Sequence, residues 1–241
     1  MTPTKGNHPT RGEVGPDEFI GNAEENAMIV PIGRWVLAEA CREAAGWGQQ
    51  AGGAAPWVAA NLSARQLLQP TLLDDVSTAL AASGLPPSSL VLEVTETVLL
   101  HDADAAIEVL GKLRARGIHI ALDDFGTGYS SLSYLHRFPI DILKIAQGFV
   151  DVDDANDDRW ILAQAIISLG KALRLRVIAE GVERRAQVQR LQSAGCEFGQ
   201  GFFFAHPLHG DRLGAEFARD NAQRLGSDRM ARSIGTESNA A

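Results

Sequence analysis

Six short apolar runs in this chain each stop at a polar or charged residue, and a helix-like segment separates one run from the next. The runs are Trp57 to Ala60, Leu90 to Leu92, Ile118 to Leu122, Ile140 to Leu143, Val177 to Ala179 and the stretch closing on Phe198. They end at Asn61, Glu93, the pair Asp123-Asp124, Lys144, Glu180 and Gln200. Strands with apolar residues at successive positions are covered on both faces, as in a parallel sheet. Strand then helix, repeated, gives an α/β fold with right-handed crossovers. Polar groups at the ends of several strands are how a TIM-like β/α barrel assembles a site.

The pattern predicts strands near 57–62, 90–95, 118–123, 140–145, 176–180 and 198–204. Helices are expected at 64–83, 103–116, 130–137, 159–173, 184–194 and 211–224. Residues 17–47 read as helical with a break near Met28 to Gly33, and Gly46 to Pro56 reads as a Gly/Ala loop. Nothing before residue 57 has the pattern of a strand. A closed barrel of this class has eight strands, so about six make it incomplete. The domain reading is a loop or disordered start at 1–16, one barrel domain at 17–224 and a disordered tail at 225–241.

A net charge of −8 argues against a nucleic-acid polymer as partner, which needs a basic surface. It leaves room for a small anionic ligand, because bound divalent cations reverse the local sign. The two cysteines, Cys41 and Cys196, form no CxxC pair, and the reading is reduced thiols in the cytoplasm. No apolar run approaches the ~20 residues of a membrane segment. The six histidines show no metal-ligand spacing and read as structural; the four tryptophans read as packing residues.

Each strand-end residue has a bland reading beside a chemical one. Asp123-Asp124 before Gly126 and Gly128 suits a solvated turn, or two acids aimed at one divalent-metal site where the pleat is lost. Asn61 suits a helix cap in competition with Ser63, or a carbonyl ligand to a hard cation. Lys144 suits a snorkelling side chain, or a group that orients or deprotonates water. Glu93 can face the barrel mouth, whereas Glu96, three residues on, suits a helix N-terminal acid or the anchor of a neighbouring loop. Glu180 can serve a second metal, Glu183 can steady its loop, and Gln200 can hydrogen-bond a phosphate or a ligand-bound water. Together these residues recur about once per strand-helix unit, which favours the chemical reading.

Several runs resemble the EAL domain family: AANLSARQL (59–67), LEVTET (92–97), ALDDFGTGYSSLSYL (121–135), DILKI (141–145), IAEGVE (178–183) and GCEFGQGFFF (195–204), with PDEFIGNAEENAMIVPIGRWVL (16–37). The similarity covers roughly Asn7 to Leu208, and DDFGTGYSSL is its most specific part. The resemblance implies a β/α barrel with one strand reversed that hydrolyses cyclic di-GMP to linear pGpG with Mg²⁺ or Mn²⁺. It implies that Asn61, Glu93, Asp123, Asp124 and Glu180 are metal ligands. Asp123 would bridge two ions, with Glu180 and Asp124 completing the second. Lys144 would position the attacking water, Glu96 would anchor the loop after Asp124, and Gln200 would support the site.

The sequence departs from the family pattern twice. The family opens with two strands, the second ending in a Glu-Ala-Leu signature with a nearby Arg; the expectation is a barrel short of both. The family's Lys-Ile-Asp reads Lys144-Ile145-Ala146. Two functions stay open: a phosphodiesterase, or a catalytically inactive module binding cyclic di-GMP or a protein. A homodimer is expected from the resemblance and from the open sheet edges.

Overall fold

The computed structural model describes residues 6–8, 10–51, 53, 55–96, 98, 102–127, 135–152, 157–208, 210 and 212–219. Its main sheet holds six parallel strands in chain order. They are β3 (Val58–Asn61), β4 (Leu90–Thr95), β5 (His119–Phe125), β6 (Ile142–Ile145), β7 (Arg176–Ala179) and β8 (Phe198–Gly199). All six expected strands are present. Sequential parallel order curls the sheet into a half-barrel, with every C-terminal strand end on one rim.

The remaining strands correct the sequence reading. Gly6–His8 (β1) and Gly12–Val14 (β2) pair as a separate antiparallel ribbon where a loop was expected. GNH and GEV carry no apolar alternation, so backbone pairing alone reveals them. β8 is also shorter than the 198–204 anticipated. After Gly199 the ladder gives way to a turn, in which Val182 donates to Gln200 O and Phe203 donates to Val182 O. The turn leaves Phe202, Phe203 and Phe204 exposed.

Helices α1 (Pro16–Glu25) and α2 (Ile29–Gln50) occupy the segment read as helical, and the break between them falls at 26–28, at the start of the expected one. α2 runs through Gly46 and Gly48, which had been assigned to a loop. The chain returns over Gly48 so closely that an added Cβ would lie 2.8 Å from Ala55 Cα. The helix expected at 64–83 divides into α3 (Ala64–Leu67) and α4 (Leu72–Ser83), and Pro70 between them explains the break. The other crossovers carry α5 (Ala103–Ala115), α6 (Gln147–Val150), α7 (Asp158–Ala172) and α8 (Arg185–Ser193). Residues 212–219 are helical within the expected 211–224. Most of the helix anticipated at 130–137 lies outside the described residues, as does the tail at 225–241.

Burial follows strand alternation and divides the core in two. Leu92, Ile120, Leu122, Leu143, Ile145, Val177 and Ala179 point outward into the layer beneath the helices. Val91, Ala121 and Ile142 form a smaller inner cluster with Ala59 and Ile178 packed against it. Buried aliphatic side chains of this kind contribute roughly 1.5–3 kcal/mol each. The inner cluster is the floor of the site. One step of strand period two beyond Ala59, Val91, Ala121, Ile142 and Ile178 come Asn61, Glu93, Asp123, Lys144 and Glu180. Among the described residues, no helix is long and apolar enough to cross a membrane.

Candidate active site

Lys144 is the centre of the rim, with its side chain 2% exposed. Its Nζ lies 2.9 Å from Glu93 Oε1, 3.0 Å from Asp123 Oδ1 and 2.6 Å from Glu180 Oε1. Four strands, β4 to β7, thus meet at one ammonium group. The snorkelling alternative fails, because this side chain turns inward. Burial pulls the Lys144 amine down, but Glu93, Asp123 and Glu180 outweigh it and hold the group well above the ordinary lysine range. At neutral pH it is a charged donor, which fits orienting a water rather than deprotonating one.

A β-bulge brings the two aspartates together. Leu122 pairs with Leu143 and Phe125 with Ile145, leaving Asp123 and Asp124 opposite Lys144 alone. Asp124 takes φ 52°, a left-handed conformation that Asp tolerates better than most residues. Its N–H donates to Asp123 Oδ1 at 3.0 Å, and its carbonyl accepts the Thr127 hydroxyl at 2.8 Å. Ligand atoms of Asp123, Asp124 and Glu180 all lie within 4.8 Å of one another.

Four carboxylates (Glu93, Asp123, Asp124, Glu180) face one ammonium, leaving three negative charges when all are ionised. Burial pushes the Glu93 carboxyl up, with Lys144 opposing; Glu180 is raised for the same reason. Burial and then the Asp123 charge raise Asp124. Glu93 Oε2 is buried with no hydrogen-bond partner among the described residues. Excess negative charge, an unpartnered buried oxygen and all-oxygen donors fit a hard divalent cation.

The other expected residues stand at different distances from this centre. Asn61 pairs in register with Glu93, and Leu62 donates to Glu93 O at 2.8 Å. Asn61 is not a cap: Ser63 caps α3 and forms a capping box with Gln66. Glu96 is buried just past β4. Residues 128–134 of the loop after Asp124, which it was expected to anchor, lie outside the described residues. Gln200 is half-buried at the end of β8, and its backbone joins Ala179 to Val182. Glu183 is exposed, and Gln187 Oε1 accepts its N–H. Gln187, 5% exposed, was not singled out in the sequence. Its one sequence signal is its place three residues into a helix whose N-cap is Arg184.

Known proteins share both the sequence and this frame. The EAL domain profile matches residues 4–207. The chain belongs to the EAL domain family. The bifunctional diguanylate cyclase/cyclic di-GMP phosphodiesterase MucR of Pseudomonas aeruginosa is 45% identical over 212 residues, 88% of this chain and 31% of MucR. The cyclic di-GMP phosphodiesterase NbdA of the same organism is 44% identical over 201 residues, 83% of this chain and 26% of NbdA. This EAL chain therefore spans about a third or less of those curated relatives. A solved MucR phosphodiesterase in complex with c-di-GMP superposes with TM-score 0.82 at 44% identity, covering 87% of this chain and 84% of that one. The c-di-GMP-bound EAL domain of FimX from P. aeruginosa superposes with TM-score 0.72 at 25% identity, covering 83% of this chain and 79% of that one.

Proposed function

We propose that this EAL domain hydrolyses cyclic di-GMP to linear pGpG. The convergence of Glu93, Asp123 and Glu180 on Lys144, with Asp124 alongside, carries the reading. Asp123, Asp124 and Glu180 would hold one divalent cation of the Mg²⁺ or Mn²⁺ kind; Asn61, Glu93 and Asp123 would hold another. Such ions, when bound, polarise a phosphodiester and make water more acidic.

The side chains have distinct tasks. The three N–H donors of Lys144 are taken by Glu93, Asp123 and Glu180; cations bound by those carboxylates would release donors to orient the attacking water and offset charge growing on the phosphate. Gln200 donates to a phosphate oxygen from the end of β8. Glu96 holds the loop after Asp124, and Glu183 steadies the loop of Glu180. The reading includes a homodimer, supported by the unpaired outer edges of β3 and β8 among the described residues. It includes a cytoplasmic setting, supported by the two free, buried cysteines.

A second reading is binding without turnover. Ala146 favours it: this position is buried, caps α6 without a side-chain hydrogen bond, and supplies no carboxylate beside Lys144. Incubation with cyclic di-GMP and Mg²⁺ or Mn²⁺, followed by anion-exchange chromatography, separates the two. Release of pGpG by the wild type and not by Asp123→Ala supports hydrolysis. Ligand binding with no pGpG supports the second reading, and neither binding nor turnover ends both.

A further inference from the structure

We propose that Gln187 is a positioning residue, a brace that holds the loop carrying Glu180 against the turn that follows Lys144; this rests on the metal-dependent reading of the site. Glu180 and Lys144 make the shortest of the three central ion pairs, yet their backbones lead into different helices. The chain after Lys144 enters α6 and ends at Asp151. The chain after Glu180 runs through Gly181 to α8. At Gly181 the two segments touch, since an added Cβ would lie 2.2 Å from Gln147 Cγ and φ is +65°.

The Gln187 side chain spans the same seam with both ends of its amide. Oε1 accepts the N–H groups of Glu183 and Arg184, each at 2.8 Å. Nε2 donates to Val150 O and to Asp151 Oδ1, each at 3.4 Å. Asp151 Oδ1 also accepts Arg184 Nη2 at 2.7 Å. Arg190 Nη1 donates to Val152 O at 2.8 Å, extending the seam. Toward β8, Val182 is tied by its own backbone bonds. The Glu180 loop is therefore held on both sides, and Gln187 shares the side facing Lys144 with Arg184 and Arg190.

Oxygen alone would serve as a helix cap; the amide nitrogen is what crosses to the other loop. Gln187→Glu separates the two roles, because glutamate still accepts the Glu183 and Arg184 N–H groups but cannot donate to Val150 and Asp151. The test measures Mn²⁺ affinity by calorimetry on nucleotide-free protein, amide exchange at residues 180–184 without metal, and the unfolding midpoint. Bracing predicts an affinity loss of about ten- to hundredfold, the range for groups that orient metal ligands. It predicts faster exchange at 180–184 with a nearly unchanged midpoint. Gln187→Met, which keeps the buried stem and removes both ends of the amide, should lose at least as much affinity and protection; it carries the test should the charged variant not fold. Mn²⁺ affinity within twofold of wild type together with unchanged exchange overturns the proposal. Absence of Asp123-dependent Mn²⁺ binding in the wild type counts against the metal-site reading, while the exchange data still decide the brace.

Discussion

Replacing Lys144 with methionine should turn the central cation into a vacancy among acids. At an effective dielectric near 20, each contact of 2.6 to 3.0 Å carries a gross attraction of about 6 kcal/mol. Most of that offsets the desolvation of the charges. Removing one partner of a buried pair typically costs about 3–5 kcal/mol. Methionine keeps the apolar stem, so little of the cost is cavity. The stranded carboxylates can escape by binding protons. Glu93 and Glu180 already have raised folded-state values, and losing Lys144 raises them further. A carboxylate whose folded pKa is raised lends stability that is full below its unfolded value and is lost as pH rises through the folded value. The penalty of Lys144→Met should therefore be small near pH 4.5 and reach about 3–5 kcal/mol at pH 7.5, roughly 6–20 °C in unfolding midpoint. Urea titrations of metal-free wild type and variant at both pH values measure it. A difference below about 1 kcal/mol that does not change with pH would refute the argument.

Three further outcomes concern the same site, the cap beside it and a buried thiol. Mn²⁺ should raise the unfolding midpoint of the wild type at pH 7.5 by an amount that shrinks as the solution is acidified, because burial makes Glu93, Asp124 and Glu180 bind competing protons more readily than ordinary carboxyls; thermal scans of wild type and Asp123→Ala across the acid range check it. Ser63→Ala should cost about 1 kcal/mol of stability while leaving Mn²⁺ affinity unchanged, and Asn61→Ala should do the reverse. Cys41, fully buried with its thiol pushed up to about 11, should react with a thiol reagent only after unfolding, as a timed assay with and without urea can show.

The strand ends were legible because a parallel sheet covered on both faces leaves continuous apolar runs, and Glu93, Lys144 and Glu180 interrupt them abruptly. The inner floor of Val91, Ala121 and Ile142 was hidden in the same runs, since inward and outward residues are equally apolar. The adjacency of Asp123 and Asp124 was plain, but the bulge that sets both opposite Lys144 is a matter of register against β6. The β1-β2 ribbon left no apolar trace, and Gly46 and Gly48 looked like loop residues because the chain segment that packs on Gly48 comes later. Gln187 was invisible for a similar reason: its partners at Val150 and Asp151 lie more than thirty residues earlier.

Anomalous diffraction from crystals soaked in Mn²⁺ tests the site most directly. The account predicts a peak within bonding distance of oxygens from Asp123, Asp124 and Glu180, and a second beside Glu93 and Asn61. Manganese absent from this rim, with Lys144 still clasped by its three acids at saturating metal, would contradict it.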